Sequence, residues 1–290
     1  MKIRGTTRVL GIVGRPVAHS LSPAMQNAAL DALGLEYVYV PFPVEPEYLG
    51  AAVEGLRRIG VWGFNVTIPH KTAIIPFLDR ITREAELAGA VNTVYREGEL
   101  FVGHNTDGIG FLASLRHDLN REPAGSTVLL LGAGGAARAA LAVLAAGGAS
   151  RIIIANRTVE RGEALADRFG SLFASVRFDV CSLEGGEVSA ALRSADLLVN
   201  TTSVGMNGTE FANLPLSEMG PHGAVYDMVY VPAETPLLAA ARERGLACAN
   251  GTGMLAGQGE AAFELWTGHR APRNIMKRKL FEELGGSTKS

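Results

Sequence analysis

Cysteine is scarce: Cys181 and Cys248 are the only two in 290 residues. Two thiols cannot build a disulfide framework and they lack zinc-site spacing, so core or near-core thiols and no metal are expected. Charge is low as well, at 19% Asp, Glu, Lys and Arg against roughly 25% in an average globular chain. With 27 basic and 29 acidic residues the net charge is −2, and no basic field calls for nucleic acid. The start, Met1-Lys2-Ile3-Arg4-Gly5, has no apolar leader core, since Val9–Val13 is too short and Arg15-Pro16 follows at once. One long apolar run exists, residues 128–149, with Arg138 its only charge. Gly132-Ala133-Gly134-Gly135 lies inside it, and a spanning helix would lose about 1 kcal/mol per glycine there. A buried strand, a turn and a buried helix fit better. The expectation is a cytoplasmic protein with no membrane partner.

What is abundant is apolar surface and glycine: 47% hydrophobic residues and 35 glycines. Such a chain builds cores, and its length suits about two domains at ~150 residues each. Short apolar runs alternate with helical patterns, the sequence form of an α/β protein with parallel sheets. Strands are expected at Val9–Val13, Tyr37–Phe42 and Val61–Val66, with helices near Ala24–Leu33 and Glu47–Ile59 between them. A helical stretch is expected from Pro69 to about Ala88. Residues 92–95 and 100–103 flank Arg96-Glu97-Gly98-Glu99 as a hairpin. The composition shifts at the polar residues 120–126. A second series follows: strand Thr127–Leu131, helix from about Ala136 to Ala146, strand Arg151–Ala155 and helix Val159–Phe169. Further strands are expected at Leu197–Asn200, at Ala224–Met228 and near Cys248. From Leu255 to Leu284 the pattern is helical. Two sheets with a returning C-terminal helix pair is the economical architecture.

Strand Thr127–Leu131 runs into Gly132-Ala133-Gly134-Gly135-Ala136-Ala137, a G-x-G-x-x-A turn with a helix after it. Gly132 permits the tight turn, Gly134 lets the backbone approach a pyrophosphate, and the helix start offers free N–H groups to the anion. A plain tight turn, a flavin or S-adenosylmethionine would use the same glycines. The next strand narrows the choice. It ends Ala155-Asn156-Arg157-Thr158 with Arg161 close behind, and no acid stands there to accept from ribose hydroxyls. Two guanidiniums and a hydroxyl suit a 2′-phosphate, so NADP is expected rather than NAD.

Three polar clusters fall where strands of the first half should end. The first is His19-Ser20-Leu21-Ser22-Pro23, able to bind a small carboxylate or to cap a helix with Ser22 and Pro23. The second is Asn65-Val66-Thr67-Ile68-Pro69-His70-Lys71, with Asn65 and Thr67 on one face by period two and Lys71 at a helix start. The third is Asn92 with His104-Asn105-Thr106-Asp107. A lysine and an aspartate in a hydroxyl-rich pocket suit proton transfer to an alcohol or ketone. By residue type alone, however, Lys71 reads as an exposed surface lysine, with His70 a bystander and His19 structural. Spacing does not bring Lys71 to Asp107.

These runs are similar to the signatures of the shikimate dehydrogenase family. The similarity rests on 14–23 (GRPVAHSLSP), 63–71 (GFNVTIPHK), 89–93 (GAVNT), 103–108 (GHNTDG), 132–136 (GAGGA) and 156–158 (NRT). It continues through 200–206 (NTTSVGM), Asp227-Met228-Val229-Tyr230 with Pro232, 235–238 (TPLL), Gln258-Gly259 and 263–268 (FELWTG). The motifs stand in order over residues 9 to 268, nearly the whole chain.

The resemblance implies reversible, NADPH-dependent reduction of 3-dehydroshikimate to shikimate, a step of aromatic amino acid biosynthesis. It implies an α/β fold of two domains. The first, mostly parallel, would hold substrate (1–108 plus about 254–290), and the second would be a Rossmann-type NADP domain (about 109–253), with C-terminal helices returning to the first. Ser20 and Ser22 would take the carboxylate of shikimate. Asn65, Thr67, Asn92, Asp107 and Gln258 would bind its hydroxyls, and Tyr230 would line the pocket. Lys71 would be the acid/base group with Asp107 its partner, and which of the two moves the proton stays open. Gly132, Gly134, Gly135, Ala136, Asn156, Arg157, Thr158 and Arg161 would bind NADP, with Thr201, Val229, Gly253 and Met254 beside the nicotinamide. The partner is a small molecule, and a homodimer is one option for assembly. Ala256-Gly257 departs from the larger residues expected before Gln258 and leaves the helix start there unsettled. The rivals are an NAD-linked quinate/shikimate dehydrogenase, a non-catalytic NADP-binding regulator of the same fold, and another two-domain NADP enzyme such as a folate-linked dehydrogenase.

Overall fold

The computed structural model describes residues 2–184 and 186–285. They form two compact units, one drawn from Met1–Gly110 and Ala256–Ser290 and one from Phe111–Leu255.

In the first unit, β1 (Arg8–Gly14), β2 (Tyr37–Pro43), β3 (Gly63–Val66), β4 (Arg80–Ile81), β5 (Thr93–Glu97) and β6 (Leu100–His104) form one sheet ordered β2-β1-β3-β5-β6-β4. The β1·β2, β1·β3 and β4·β6 pairings are parallel. Those of β3·β5 and β5·β6 are antiparallel, the second closing the hairpin. Helices α1 (Ser22–Ala32), α2 (Leu49–Arg58) and α3 (Arg83–Ala88) belong to this unit. One face of the sheet buries Val13, Phe64, Val66, Val94 and Phe101 against Leu49, Val53 and Leu56 of α2. At about 1.5–3 kcal/mol per buried large side chain, this cluster holds the strand ends that carry the polar residues.

Two expectations are corrected here. The continuous helix from Pro69 to about Ala88 is absent. A turn, a short 3-10 segment at Ile75–Phe77 and β4 occupy most of that stretch, and only α3 is helical. Pro76 has no N–H to give to the carbonyl four residues back, so an α-helix running through it would lose a rung. α3 starts afresh, its first turn capped by the Thr82 hydroxyl, which accepts from the Ala85 N–H. Lys71 therefore lies in a turn rather than at a helix start. Likewise Ser22 is the first residue of α1 and caps nothing, the cap position being Leu21 without a side-chain bond.

In the second unit, β7 (Thr127–Leu131), β8 (Arg151–Asn156), β9 (Arg177–Ser182), β10 (Leu197–Asn200), β12 (Ala224–Asp227) and β13 (Ala247–Asn250) pair in the order β13-β12-β10-β7-β8-β9; β11 (Val204–Asn207) lies outside the sheet. Every pairing in that sheet is parallel. Counted from β7 as first, the order is 3-2-1-4-5-6, the doubly wound pattern whose direction reverses beside the first strand. Val128–Leu131 and Leu197–Asn200 are buried throughout, as strands covered on both faces must be. Helices α5 (Gly135–Ala146), α6 (Val159–Leu172), α7 (Glu187–Ser194) and α8 (Pro236–Glu243) connect the strands. Cys181 is buried and Cys248 partly so, both as free thiols.

The remaining helices are α4 (Asp107–Leu119), α9 (Thr252–Thr267) and α10 (Ile275–Glu283). Ala256-Gly257 does not disturb α9, which starts four residues earlier and buries Ala256 and Gln258. Trp266 of α9 donates through Nε1 to the Val94 carbonyl at 2.9 Å, and α10 packs on α1. Among the described residues no helix is long and apolar enough to cross a membrane.

Candidate active site

At the ends of β3, β5 and β6 the sequence places amides and hydroxyls where strand hydrogen bonding stops, so their side chains must satisfy one another. They do so in one connected set. Lys71 Nζ donates to Asp107 Oδ2 at 2.6 Å, with side chains 32% and 16% exposed. Asn92 Nδ2 donates to Asp107 Oδ1 at 2.7 Å. The orientation of the Asn92 amide is dictated by its other end. Its Oδ1 accepts from the Thr106 backbone N–H at 2.8 Å, a group that can only donate, so the NH₂ must face Asp107. Asn65 Nδ2 donates to the Asn92 carbonyl at 3.0 Å, and Asn65 Oδ1 accepts from the Tyr39 hydroxyl at 2.7 Å. Tyr39 also meets the Ser22 side chain, and burial pushes its phenol well above the usual range. The Lys71 carbonyl is pinned by the Val91 N–H at 2.7 Å, which fixes the root of the lysine.

Of the substrate residues expected from the sequence, Ser22, Asn65, Asn92, Asp107 and Lys71 are thus joined directly or through Tyr39. Ser20 Oγ accepts from the Ser22 N–H at 3.3 Å. Thr67 follows β3, its backbone N–H bonded to Val13 and its methyl against Gly14. Gln258 is buried in α9. His70 is structural, bonding through Nε2 to the Val44 carbonyl at 2.8 Å while buried. Tyr39 is the participant that sequence reasoning missed. Its strand reads as alternating aromatic and valine residues, a core pattern with nothing to mark the hydroxyl.

The second unit carries the glycine turn after β7. Gly132 has φ +105°, and a Cβ there would lie 2.8 Å from Thr201 Oγ1 and Thr202 Cγ2, so the turn itself demands glycine. Gly134 differs. It caps α5 in extended geometry, and a Cβ on it would meet nothing within 4 Å. The protein leaves that space clear although nothing in its own packing requires it, which fits close approach of a phosphate to the helix start. Gly135 and Ala136 open the helix. Beyond β8, Arg157, Thr158 and Arg161 are exposed, and Asn156 Nδ2 donates to the Thr158 carbonyl at 2.7 Å, shaping that turn. Among the described residues no carboxylate is paired with Arg157 or Arg161 in the ion pairs present.

Val229 is buried, and its N–H donates to Asp227 Oδ1 at 3.0 Å. Asp227 is fully buried between Asn200 Nδ2 at 2.9 Å and the Thr235 hydroxyl at 2.6 Å, and burial pushes its carboxyl up. Burial also raises the Tyr230 phenol. Thr201 donates to the Leu131 carbonyl at 2.6 Å, beside Gly132. Gly253 lies so close to Ser114 and Asp118 that any Cβ on it would overlap their side-chain oxygens, and Met254 follows it in α9.

The model of the shikimate dehydrogenase substrate-binding domain matches residues 12–94, that of shikimate/quinate 5-dehydrogenase residues 114–210, and that of the shikimate 5-dehydrogenase C-terminal domain residues 251–281. A curated shikimate dehydrogenase (NADP(+)) of Geobacter metallireducens is 60% identical over 98% of this chain and 99% of its own. The chain belongs to the shikimate dehydrogenase family. Among solved structures, the Listeria monocytogenes family member in complex with shikimate and NAD has TM-score 0.91 at 36% identity, over 97% of this chain and 99% of that one. The Thermus thermophilus member with NADP(H) and shikimate has TM-score 0.84 at 38% identity, over 95% and 99%.

Proposed function

We propose that the protein catalyses the reversible reduction of 3-dehydroshikimate to shikimate with NADPH, an oxidoreductase step on a CH–OH group in aromatic amino acid biosynthesis. Bound NADPH would supply the hydride. The chain's own residues do the rest. As negative charge grows on the substrate carbonyl oxygen, the Lys71 ammonium stabilises it and transfers a proton, leaving a neutral amine that solvent reprotonates. Asp107 accepts from Nζ and orients the ammonium. Both its oxygens face donors, Nζ and Asn92 Nδ2, so it serves as an acceptor and lysine is the proton donor in our reading.

Asn65, Thr67, Asn92, Asp107 and Gln258 are assigned to the ring hydroxyls, and Tyr230 to the pocket lining. The hydroxyls of Ser20 and Ser22 take the carboxylate, which neutral donors can hold without closing an ion pair. Gly132, Gly134, Gly135, Ala136, Asn156, Arg157, Thr158 and Arg161 are assigned to the dinucleotide, and Thr201, Val229, Gly253 and Met254 to the nicotinamide. The reading places the reaction in the cytoplasm on a small-molecule partner. The observation that carries it is the 2.6 Å Lys71–Asp107 contact inside a set of neutral donors and acceptors. The test is a grid of shikimate or quinate with NADP or NAD, followed by the near-ultraviolet absorbance of the reduced nicotinamide. Turnover should be fastest with shikimate and NADP. Equal rates with NAD would remove the assignment of Arg157 and Arg161, and no shikimate oxidation would remove the reading.

A further inference from the structure

Arg138 is the single charge in the apolar run around the glycine turn, and none of the roles above uses it. It lies in the first turn of α5, its backbone N–H bonded to the Gly134 carbonyl at 3.1 Å. Its Nε is buried and has no hydrogen-bond partner. A guanidinium N–H shut away from water without an acceptor is costly, because the desolvation of the group goes uncompensated. Among the described residues no ion pair joins it to a carboxylate, and the causes that act on it are burial and a like charge. Burial holds the guanidinium below its usual range, and like-charge repulsion from Arg168 of α6 adds to it. One terminal nitrogen, Nη2, lies 4.0 Å from where a Cβ on Gly135 would sit, at the border of the space left clear over Gly134 and Gly135. A cation that is partly desolvated, without a partner for its Nε and at the border of the clear space at the glycine turn is arranged for a ligand that brings negative charge with several acceptor oxygens.

We infer that Arg138 is a phosphate-binding residue of the cofactor site, its guanidinium closing onto a phosphate group of the dinucleotide at the start of α5. The inference rests on the NADP reading above and adds a residue to it. A phosphate at that position gives the guanidinium, whose Nε has no partner in the protein, a charged acceptor. The phosphate has two sources, the pyrophosphate bridge or the 2′-phosphate of the adenosine half, and the two share the same chemistry.

The experiment titrates the purified full chain calorimetrically with two probes. One is 2′,5′-ADP, which has the 2′-phosphate but no pyrophosphate, and the other is ADP, which has the pyrophosphate but no 2′-phosphate. Wild type is compared with Arg138→Met, which keeps the apolar stem, and Arg138→Lys, which keeps the charge. Loss of a charge-assisted contact should weaken one probe or both by about 10- to 100-fold in Arg138→Met, with partial recovery in Arg138→Lys. Weakening of 2′,5′-ADP alone assigns the 2′-phosphate, weakening of ADP alone assigns the bridge, and weakening of both assigns a contact shared between them; each supports the inference. In steady state the same variant should raise the KM for NADP with kcat nearly unchanged. A merely structural arginine would behave otherwise, since its removal would lower Tm without probe present. Here removal of an unpartnered group should leave that Tm unchanged or raise it. Binding of both probes within threefold of wild type overturns the inference. If that occurs while wild type oxidises shikimate with NADP, only Arg138 is reassigned. If wild type neither binds the probes nor turns over, the reading beneath it falls as well and takes the inference with it.

Discussion

Replacing Asp107 with asparagine tests whether Lys71 and its carboxylate act as one unit. In the native site both carboxylate oxygens accept, one from Lys71 Nζ at 2.6 Å and one from Asn92 Nδ2 at 2.7 Å. A carboxamide offers one acceptor and one donor, so the Asp107→Asn side chain must turn an NH₂ toward one of two donors. Asn92 cannot compensate by flipping, because its own oxygen is held by the Thr106 N–H. A charge-assisted bond is therefore lost or a donor is left facing a donor, worth roughly 1.5–3 kcal/mol, or about a 10- to 100-fold fall in kcat. Lys71→Met removes the proton donor itself and should lower kcat by about 10²- to 10⁴-fold with little change in KM. The double variant decides the matter. If the aspartate acts only through the lysine, the double variant should be no slower than Lys71→Met alone, within about threefold. Shikimate oxidation with NADP, followed to saturation in both reactants, gives all four kcat values. Losses that multiply in the double variant, or single variants that change only KM, would refute the unit. The fold should survive, since the pair is partly solvated and such pairs contribute only about 0–1 kcal/mol to stability.

Three further outcomes follow from the same geometry. Tyr39→Phe removes the donor to Asn65 Oδ1, and leaving that buried acceptor bare should raise the KM for shikimate several-fold while the KM for NADP stays put; an unchanged shikimate KM would dissociate Tyr39 from the site. Gly134→Ala should keep the wild-type Tm yet weaken NADP, whereas Gly132→Ala should lower both, because only the latter meets Thr201 and Thr202; equal loss of Tm in the two variants would contradict this contrast. His104 is held below its usual pKa by burial, which outweighs the attraction of Glu84. With the folded value depressed from an unfolded one of about 6.5, the unfolded chain binds the proton more tightly. Its contribution is complete above that pH and is lost as pH falls through the window beneath it. Urea midpoints measured at pH 7.5 and 5.5 should therefore converge in His104→Gln relative to wild type, and an unaltered difference would refute the assignment.

The parallel core strands are legible because a strand covered on both faces is a short, nearly continuous apolar run, as in residues 128–131 and 197–199. β9 is not, since Arg177–Ser182 lies at the sheet edge and mixes Arg, Asp and Ser with its apolar residues. α4 opens Asp107-Gly108-Ile109-Gly110, and two glycines in the first turn hide a helix from any propensity argument. Pro76, by contrast, stands in plain view inside the stretch expected to be helical, and its missing N–H outweighs the apolar periodicity around it. For the site, residue types are informative and contacts are not. Thirty-six positions separate Lys71 from Asp107, and only the sheet, in which β3 and β6 flank β5, brings the turn after β3 to the end of β6. Arg138 is visible as a lone charge, but its want of a partner is a property of packing.

The first unit is assembled from segments far apart in the chain: Gln26 reaches the Gly259 carbonyl, Trp62 reaches the Trp266 carbonyl, and α10 covers α1. On the ribosome, the stretch Phe111–Leu255 is therefore fully synthesised before the earlier-made sheet receives its last covering helices. The nascent β1–β6 region must wait with apolar surface uncovered until α9 and α10 emerge, so deleting those two late helices would harm the earliest-made part of the molecule.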